Sequence, residues 1–128
     1  MNEPQATEGE LGILRVLWDR AMPGTVRDVH EALSRHKETA YTTVLKMMTI
    51  MTEKGLLARD ESERSHRYSP TYPEPVVQSA MLKAFMQRTF SGSAVQLVQR
   101  ALDVNAASEA DLDAMEDMIR AARARKAQ

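Results

Sequence analysis

Tyr41, Thr42, Thr43 and Lys46 lie at one end of a polar helical face and carry side chains able to read the edges of base pairs. A threonine hydroxyl bonds to a base edge or a phosphate oxygen and its methyl touches a thymine methyl, while a lysine ammonium reaches a guanine edge or the backbone. Taken alone, the same residues also describe the solvated face of any amphipathic helix. A second group follows in the sequence. Arg59, Arg64, His66 and Arg67 put three permanent cations and one titratable ring on or beside the polar stretch Asp60-Glu61-Ser62-Glu63-Arg64-Ser65. These cations can straddle a phosphate backbone, or they can pair with Asp60, Glu61 and Glu63 in an ordinary polar turn. Thr25 and Arg27 open another helical segment, where free backbone N–H groups suit a phosphate oxygen.

Other chemistries are poorly served. His30 and His36 stand six apart and His66 lies in a different segment, so no pair has the i, i+4 spacing of a helical metal site. Ser, His and Asp occur without a nucleophile motif around them, and no glycine-rich phosphate loop is present. The chain has no cysteine, which excludes disulfides, thiolate metal sites and a thiol nucleophile. The nine methionines fit a core of Leu, Val and Met better than an oxidation sensor. No catalytic residue, cofactor or metal is expected.

The elements that would position the two polar groups can be read from periodicity and caps. Thr7 with Glu10 has capping-box spacing, and Leu11, Leu14 and Trp18 line one face of a helix that should stop near Ala21-Met22-Pro23-Gly24. Thr25 with Asp28 repeats the box ahead of Val26, Val29 and Leu33. A third helix is expected over residues 39–54, burying Val44, Met47, Met48 and Met51, leaving Ile50 on or near the polar side and ending at Gly55. Leu56–Arg59 and His66–Ser69 read as two short strands, with a wing over residues 59–68. Three helices and a hairpin make a winged helix-turn-helix, whose third helix enters a major groove.

Pro70, Pro73 and Pro75 are three of the five prolines, so the segment around them should be extended and divide the chain into domains 1–73 and 74–128. The second part reads as helices broken at Ser91-Gly92, with Ser108 and Asp111 capping the last. Its apolar stripes, Val95, Val98 and Leu102, then Leu112, Met115 and Ile119, are too narrow to offset the ordering entropy alone. A second copy of the chain is the expected cover, making this a helical dimerisation domain. The fold class is therefore mainly α, a winged helix-turn-helix with a C-terminal helical tail.

Net charge is −1, and residues 1–75 carry 10 Lys and Arg against 12 Asp and Glu, so bulk charge gives a polyanion no attraction and local cation placement has to supply it. A polar, acidic start and the lack of a long apolar run point to a cytoplasmic chain with no membrane insertion. A small-molecule-responsive regulator and a winged-helix protein-docking module remain the alternative readings.

Leu11 to Trp18, Thr25-Val26-Arg27-Asp28-Val29, Ala40-Tyr41-Thr42-Thr43-Val44, Lys54-Gly55-Leu56-Leu57 and His66-Arg67-Tyr68-Ser69-Pro70 together resemble the penicillinase and methicillin-resistance repressor family, BlaI/MecI. The resemblance covers almost the whole chain, including Ser91-Gly92-Ser93. It implies a homodimeric repressor on a short palindromic operator in double-stranded DNA. It also implies release by proteolysis in the tail, through a membrane-bound sensor metalloprotease, at a bond that falls by position at Arg100-Ala101. Three positions depart from the family pattern: Lys46 stands where Thr is usual, Ile50 where Arg is usual, and Ala101 where a bulky aromatic follows the cleaved bond. The absence of C-terminal cysteines excludes the thiolate-bound copper of the copper-responsive branch.

Overall fold

The computed structural model describes residues 3–128 and contains, in order, α1 (Glu8–Asp19), α2 (Val26–Ser34), α3 (Tyr41–Glu53), β1 (Leu57–Asp60), β2 (Arg67–Pro70), α4 (Glu74–Phe90), α5 (Ala94–Val104) and α6 (Glu109–Lys126). Packing divides the chain into two units, residues 1–84 and 85–128, so the first unit continues past the proline segment into α4.

In the first unit, both expected capping boxes are formed. Thr7 and Glu10 satisfy each other's backbone N–H groups at the start of α1, as do Thr25 and Asp28 at the start of α2. Helix α1 stops at Asp19, earlier than the Pro-Gly pair suggests, because Arg20 is already extended (φ −89°, ψ 141°) and donates its N–H to Leu17. Helix α3 begins at Tyr41 rather than Thr39, with Ala40 as an N-cap that supplies no side-chain hydrogen bond. Its other end is a Schellman turn. The N–H of Leu56 donates to the carbonyl of Met51 (2.9 Å) and that of Gly55 to Thr52 (3.1 Å), with Gly55 at φ +86°. Leu56 is used by this turn, which moves β1 one residue on, to Leu57–Asp60. Strand β2 is shifted equally, to Arg67–Pro70, and pairs antiparallel with Leu57 opposite Pro70 and Asp60 opposite Arg67.

The core joins Ile13, Leu14 and Leu17 of α1, Val26 and Val29 of α2, Val44, Met48 and Met51 of α3, then Leu56, Leu57, Tyr68 and Val77. Met47, expected with the buried face of α3, is only half-buried. Burying a Leu, Val or Met side chain stabilises by roughly 1.5–3 kcal/mol, so the set outweighs any single polar contact here. Buried Glu10 accepts a hydrogen bond from the Lys54 ammonium (2.7 Å), tying the start of α1 to the end of α3. The proline segment is fixed rather than free: the Trp18 indole N–H donates to the Tyr72 carbonyl (3.0 Å). Pro75 lies in the first turn of α4, where its missing N–H costs no helical hydrogen bond, so the extended stretch ends before it.

The second unit begins inside α4. Phe85 and Phe90 pack edge to face at 5.8 Å, with the Arg88 guanidinium over the Phe85 ring. The break expected at Ser91-Gly92 is present, with positive φ at both residues (51° and 84°). Ser93 caps α5 through the Gln96 N–H, and Ser108 with Asp111 forms a third capping box at α6. Neither α5 nor α6 buries a residue: Val95, Val98, Leu102, Leu112, Met115 and Ile119 are all exposed in the single chain. Among the described residues, no helix is long and apolar enough to cross a membrane.

Candidate nucleic-acid interface

The site is assembled by one long-range contact. Gly24 exchanges both backbone hydrogen bonds with Tyr68 (2.9 and 2.8 Å), adding the α1–α2 turn to the hairpin as a third, one-residue rung. Gly24 is needed there for room rather than for turn geometry, since an added Cβ would stand 3.0 Å from Arg20 Nε and 3.1 Å from Leu17 Cδ2. The bridge sets the start of α2 beside β2. A cleft of ≈540 Å³ results, lined by Thr25, Arg27, Tyr41, Leu45, Arg64, His66 and Arg67 among others. Six residues singled out from sequence on three separate elements thus face one concavity.

Thr42, Thr43 and Lys46 do not line that cleft; they are exposed on α3 beside it. Tyr41 and Leu45, one turn apart, point into it, and Thr42 and Lys46 form the next row of the same helix. Leu45 and Ser65 were missed from sequence. Leu45 was legible as an apolar residue on a polar face, 41% exposed.

Hydroxyl use separates the threonines of α3. Thr49 and Thr52 donate back to the carbonyls of Leu45 and Met48 (2.8 Å each), whereas among the described residues Thr42 and Thr43 have no intramolecular partner. The half of the helix nearest the cleft therefore keeps its hydroxyls available. The Tyr41 ring is steadied by His30, whose ring meets it edge-on at 5.6 Å and whose Nε2–H donates to the Thr39 carbonyl (2.8 Å). His30 thus braces the approach to α3.

Electrostatics divide the cations into two classes. Among the described residues, Arg27, Lys46 and Arg64 have no carboxylate within ion-pair distance. Arg59 and Arg67 do: Arg59 Nε lies 3.0 Å from Glu61 Oε2, and Arg67 Nε 3.5 Å from Glu63 Oε1. Both pairs are the local pairing that the acidic loop made possible. Arg59 stands opposite Tyr68 in the sheet, and its pKa is raised, first by the nearby Tyr68 side chain and then by Glu61.

At the start of α2, the Thr25 N–H lowers the pKa of the Asp28 carboxyl, reinforced by Arg20 (3.3 Å) and by the fields of Arg20 and Arg67. The capping box consumes the Thr25 and Asp28 N–H groups, so Thr25 itself keeps only its hydroxyl proton, while among the described residues the Val26 and Arg27 N–H groups at the helix start take no intramolecular partner. The Asp60 carboxyl is likewise lowered, first by the Ser62 N–H, which it accepts at 2.9 Å.

The chain is similar to known proteins in sequence and in fold. The penicillinase repressor family model matches residues 6–121. The transcriptional regulator BlaI of Mycobacterium tuberculosis, strains CDC 1551 / Oshkosh and ATCC 25618 / H37Rv, is 36% identical over 103 residues, which are 80% of this chain and 75% of the regulator. The fold is shared with Bacillus licheniformis BlaI, whose monomeric form was solved in solution in complex with the blaP half-operator. That match has a TM-score of 0.50 and 24% identity, and covers 59% of this chain and 90% of that one. A match of this extent to a family of transcriptional repressors, not of enzymes, together with a winged helix-turn-helix fold, means that the chain belongs to the penicillinase repressor family.

Proposed function

We propose that the chain is a homodimeric transcriptional repressor of the cytoplasm that binds a palindromic operator in double-stranded DNA. The observation that carries this reading is the cleft that gathers Thr25, Arg27, Tyr41, Arg64, His66 and Arg67 beside the exposed Thr42, Thr43 and Lys46. Helix α3 enters the major groove, with Thr42, Thr43 and Lys46 at base edges and Leu45 toward thymine methyls. Arg27, Arg64 and Arg67 take phosphates on either side, and His66 adds a contact when protonated. The second unit, residues 85–128, joins the second copy through Val95, Val98 and Leu102 on α5 and Leu112, Met115 and Ile119 on α6. Dimerisation places two α3 helices on half-sites about one helical turn or a small multiple apart.

Release follows from cutting the tail at Arg100-Ala101 by a membrane-bound sensor metalloprotease. Both residues are exposed, and Arg100 pairs with Asp103 (2.7 Å) within α5. A bond inside a helix has to unwind before a protease can bind it extended, so local fraying of α5 sets the rate of release.

The test is an anisotropy titration of the full chain against its own upstream DNA and a scrambled duplex at two salt concentrations. Three to five phosphates neutralised per monomer give a log–log salt slope of roughly −0.9 per phosphate. Selective binding that is lost in Lys46→Ala and Arg64→Ala supports the reading, and equal, weak binding to both duplexes overturns it.

A further inference from the structure

We propose that Glu61 and Glu63 are an electrostatic brake on duplex binding, holding Arg59 and Arg67 in intramolecular ion pairs that a phosphate must displace. The proposal rests on the repressor reading above and adds to it a pair of affinity-setting residues.

The geometry is specific to these two carboxylates. Glu61 Oε2 meets Arg59 Nε at 3.0 Å and Glu63 Oε1 meets Arg67 Nε at 3.5 Å. Both glutamates are more than half exposed, at 56% and 68%, and neither touches the core. The loop turn itself is made by Asp60, which accepts from the Ser62 N–H, so the fold does not depend on Glu61 or Glu63. What they change is the charge presented by the wing. Arg67 lines the cleft beside Arg27 and Arg64, yet of these three it alone among the described residues faces the cleft already paired.

Nonspecific attraction to DNA comes from cations free to neutralise phosphates. Residues 1–84 carry 11 Lys and Arg against 12 Asp and Glu, Glu61 and Glu63 among them, so the unit as a whole offers little long-range pull and the wing offers less while its two arginines are paired. Attraction is then confined to short range, where a phosphate can replace a carboxylate on the same guanidinium. Arg59 and Arg67 are reserved for a docked duplex, and the chain avoids being held on bulk DNA. Converting both glutamates to glutamine removes the competing charges and makes the first unit net positive.

The experiment uses the full chain and two labelled duplexes, its own upstream DNA and a random sequence, titrated by anisotropy at low and high salt. Glu61→Gln/Glu63→Gln should bind both duplexes roughly threefold to tenfold tighter at low salt, the range two exposed ion pairs can supply. The gain should shrink as salt screens the charges. The Asp19→Asn/Glu31→Gln variant removes the same net charge from α1 and α2 and should gain clearly less. In an Arg59→Ala/Arg67→Ala background the two glutamine changes should gain no more than the α1/α2 control does, because the pairs no longer exist and only the change in net charge is left. Unchanged melting temperatures verify that the exposed substitutions left the fold intact. Wild-type binding with no gain in the glutamine variant, or an equal gain from the α1/α2 control, overturns the brake alone. Failure of both wild type and variant to bind either duplex overturns the brake and the repressor reading together.

Discussion

Replacing Glu10 by alanine tests how the end of α3 is anchored. Its Oε1 accepts from the Thr7 N–H at 3.0 Å and from the Lys54 ammonium at 2.7 Å, with only 7% of the side chain exposed. Truncation leaves a backbone donor and an ammonium without that acceptor. Hydrogen bonds to charged groups are worth roughly 1.5–3 kcal/mol, but Lys54 is 41% exposed and water recovers part of its share. The expected loss is about 2 kcal/mol for Glu10→Ala and about 1 kcal/mol for Glu10→Gln, which keeps an acceptor for Thr7. With ~4–8 °C per kcal/mol in a unit of this size, Glu10→Ala should melt roughly 8–16 °C lower.

The same pair gives a pH signature. Burial pushes the Glu10 carboxyl up, but the hydrogen bond from Lys54, with those from Thr7, outweighs it and leaves the pKa below the ordinary 4.5. The folded chain therefore binds fewer protons there than the unfolded one. Its contribution is complete above about pH 4.5 and is lost as pH falls through the lowered folded value. Thermal unfolding followed by circular dichroism, at one fixed protein concentration, should show wild type and Glu10→Gln converging as pH falls below 4.5 and through the lowered folded value. An unchanged midpoint in Glu10→Ala, or a gap to Glu10→Gln that stays constant into acid, would refute the reasoning.

Other outcomes follow from single contacts. Met48 is fully buried, so Met48→Ala should cost about 2–5 kcal/mol in denaturant unfolding. Gly24→Ala puts a methyl 3.0 Å from Arg20 Nε and 3.1 Å from Leu17 Cδ2, and should cost about 1–3 kcal/mol while weakening DNA binding more than Gly55→Ala does. Gly55→Ala meets open space and loses only the left-handed conformation, about 1 kcal/mol by the same unfolding assay. Leu102→Asp should shift the sedimentation of the full chain from dimer to monomer and weaken operator binding with it; an unchanged sedimentation profile would remove α5 from the interface.

Local signals carried most of the element list. The three pairs Thr7–Glu10, Thr25–Asp28 and Ser108–Asp111 became capping boxes, because both partners of each lie within one turn and need nothing from the rest of the chain. The strand ends slipped by one residue because the Schellman turn after α3 used Leu56, a choice made by hydrogen bonds to Met51 and Thr52 rather than by side-chain pattern. The wing arginines were legible, and so was their possible pairing with the loop acids; which acid took which arginine was not. What no pattern revealed was the Gly24–Tyr68 rung. It joins residues far apart in sequence through backbone atoms alone, and it is the reason Thr25 and Arg27 share a cleft with the wing. Leu45 stood out in the sequence only as an apolar residue on a polar face; what it faces is decided by the wing folded beside it.

That rung has a consequence for how such a chain can be altered. Tyr68 is buried and fixed from two directions, by Arg59 across the hairpin and by Gly24 behind it, whereas residues 61–65 are exposed throughout. Changes of composition or length between Glu61 and Ser65 can be absorbed by the loop without disturbing the frame that holds α2, α3 and β2 together. The tip can therefore be exchanged like a cartridge while the frame beneath it stays as it is. Gly24 and Tyr68, which hold that frame together, have far less latitude than the tip.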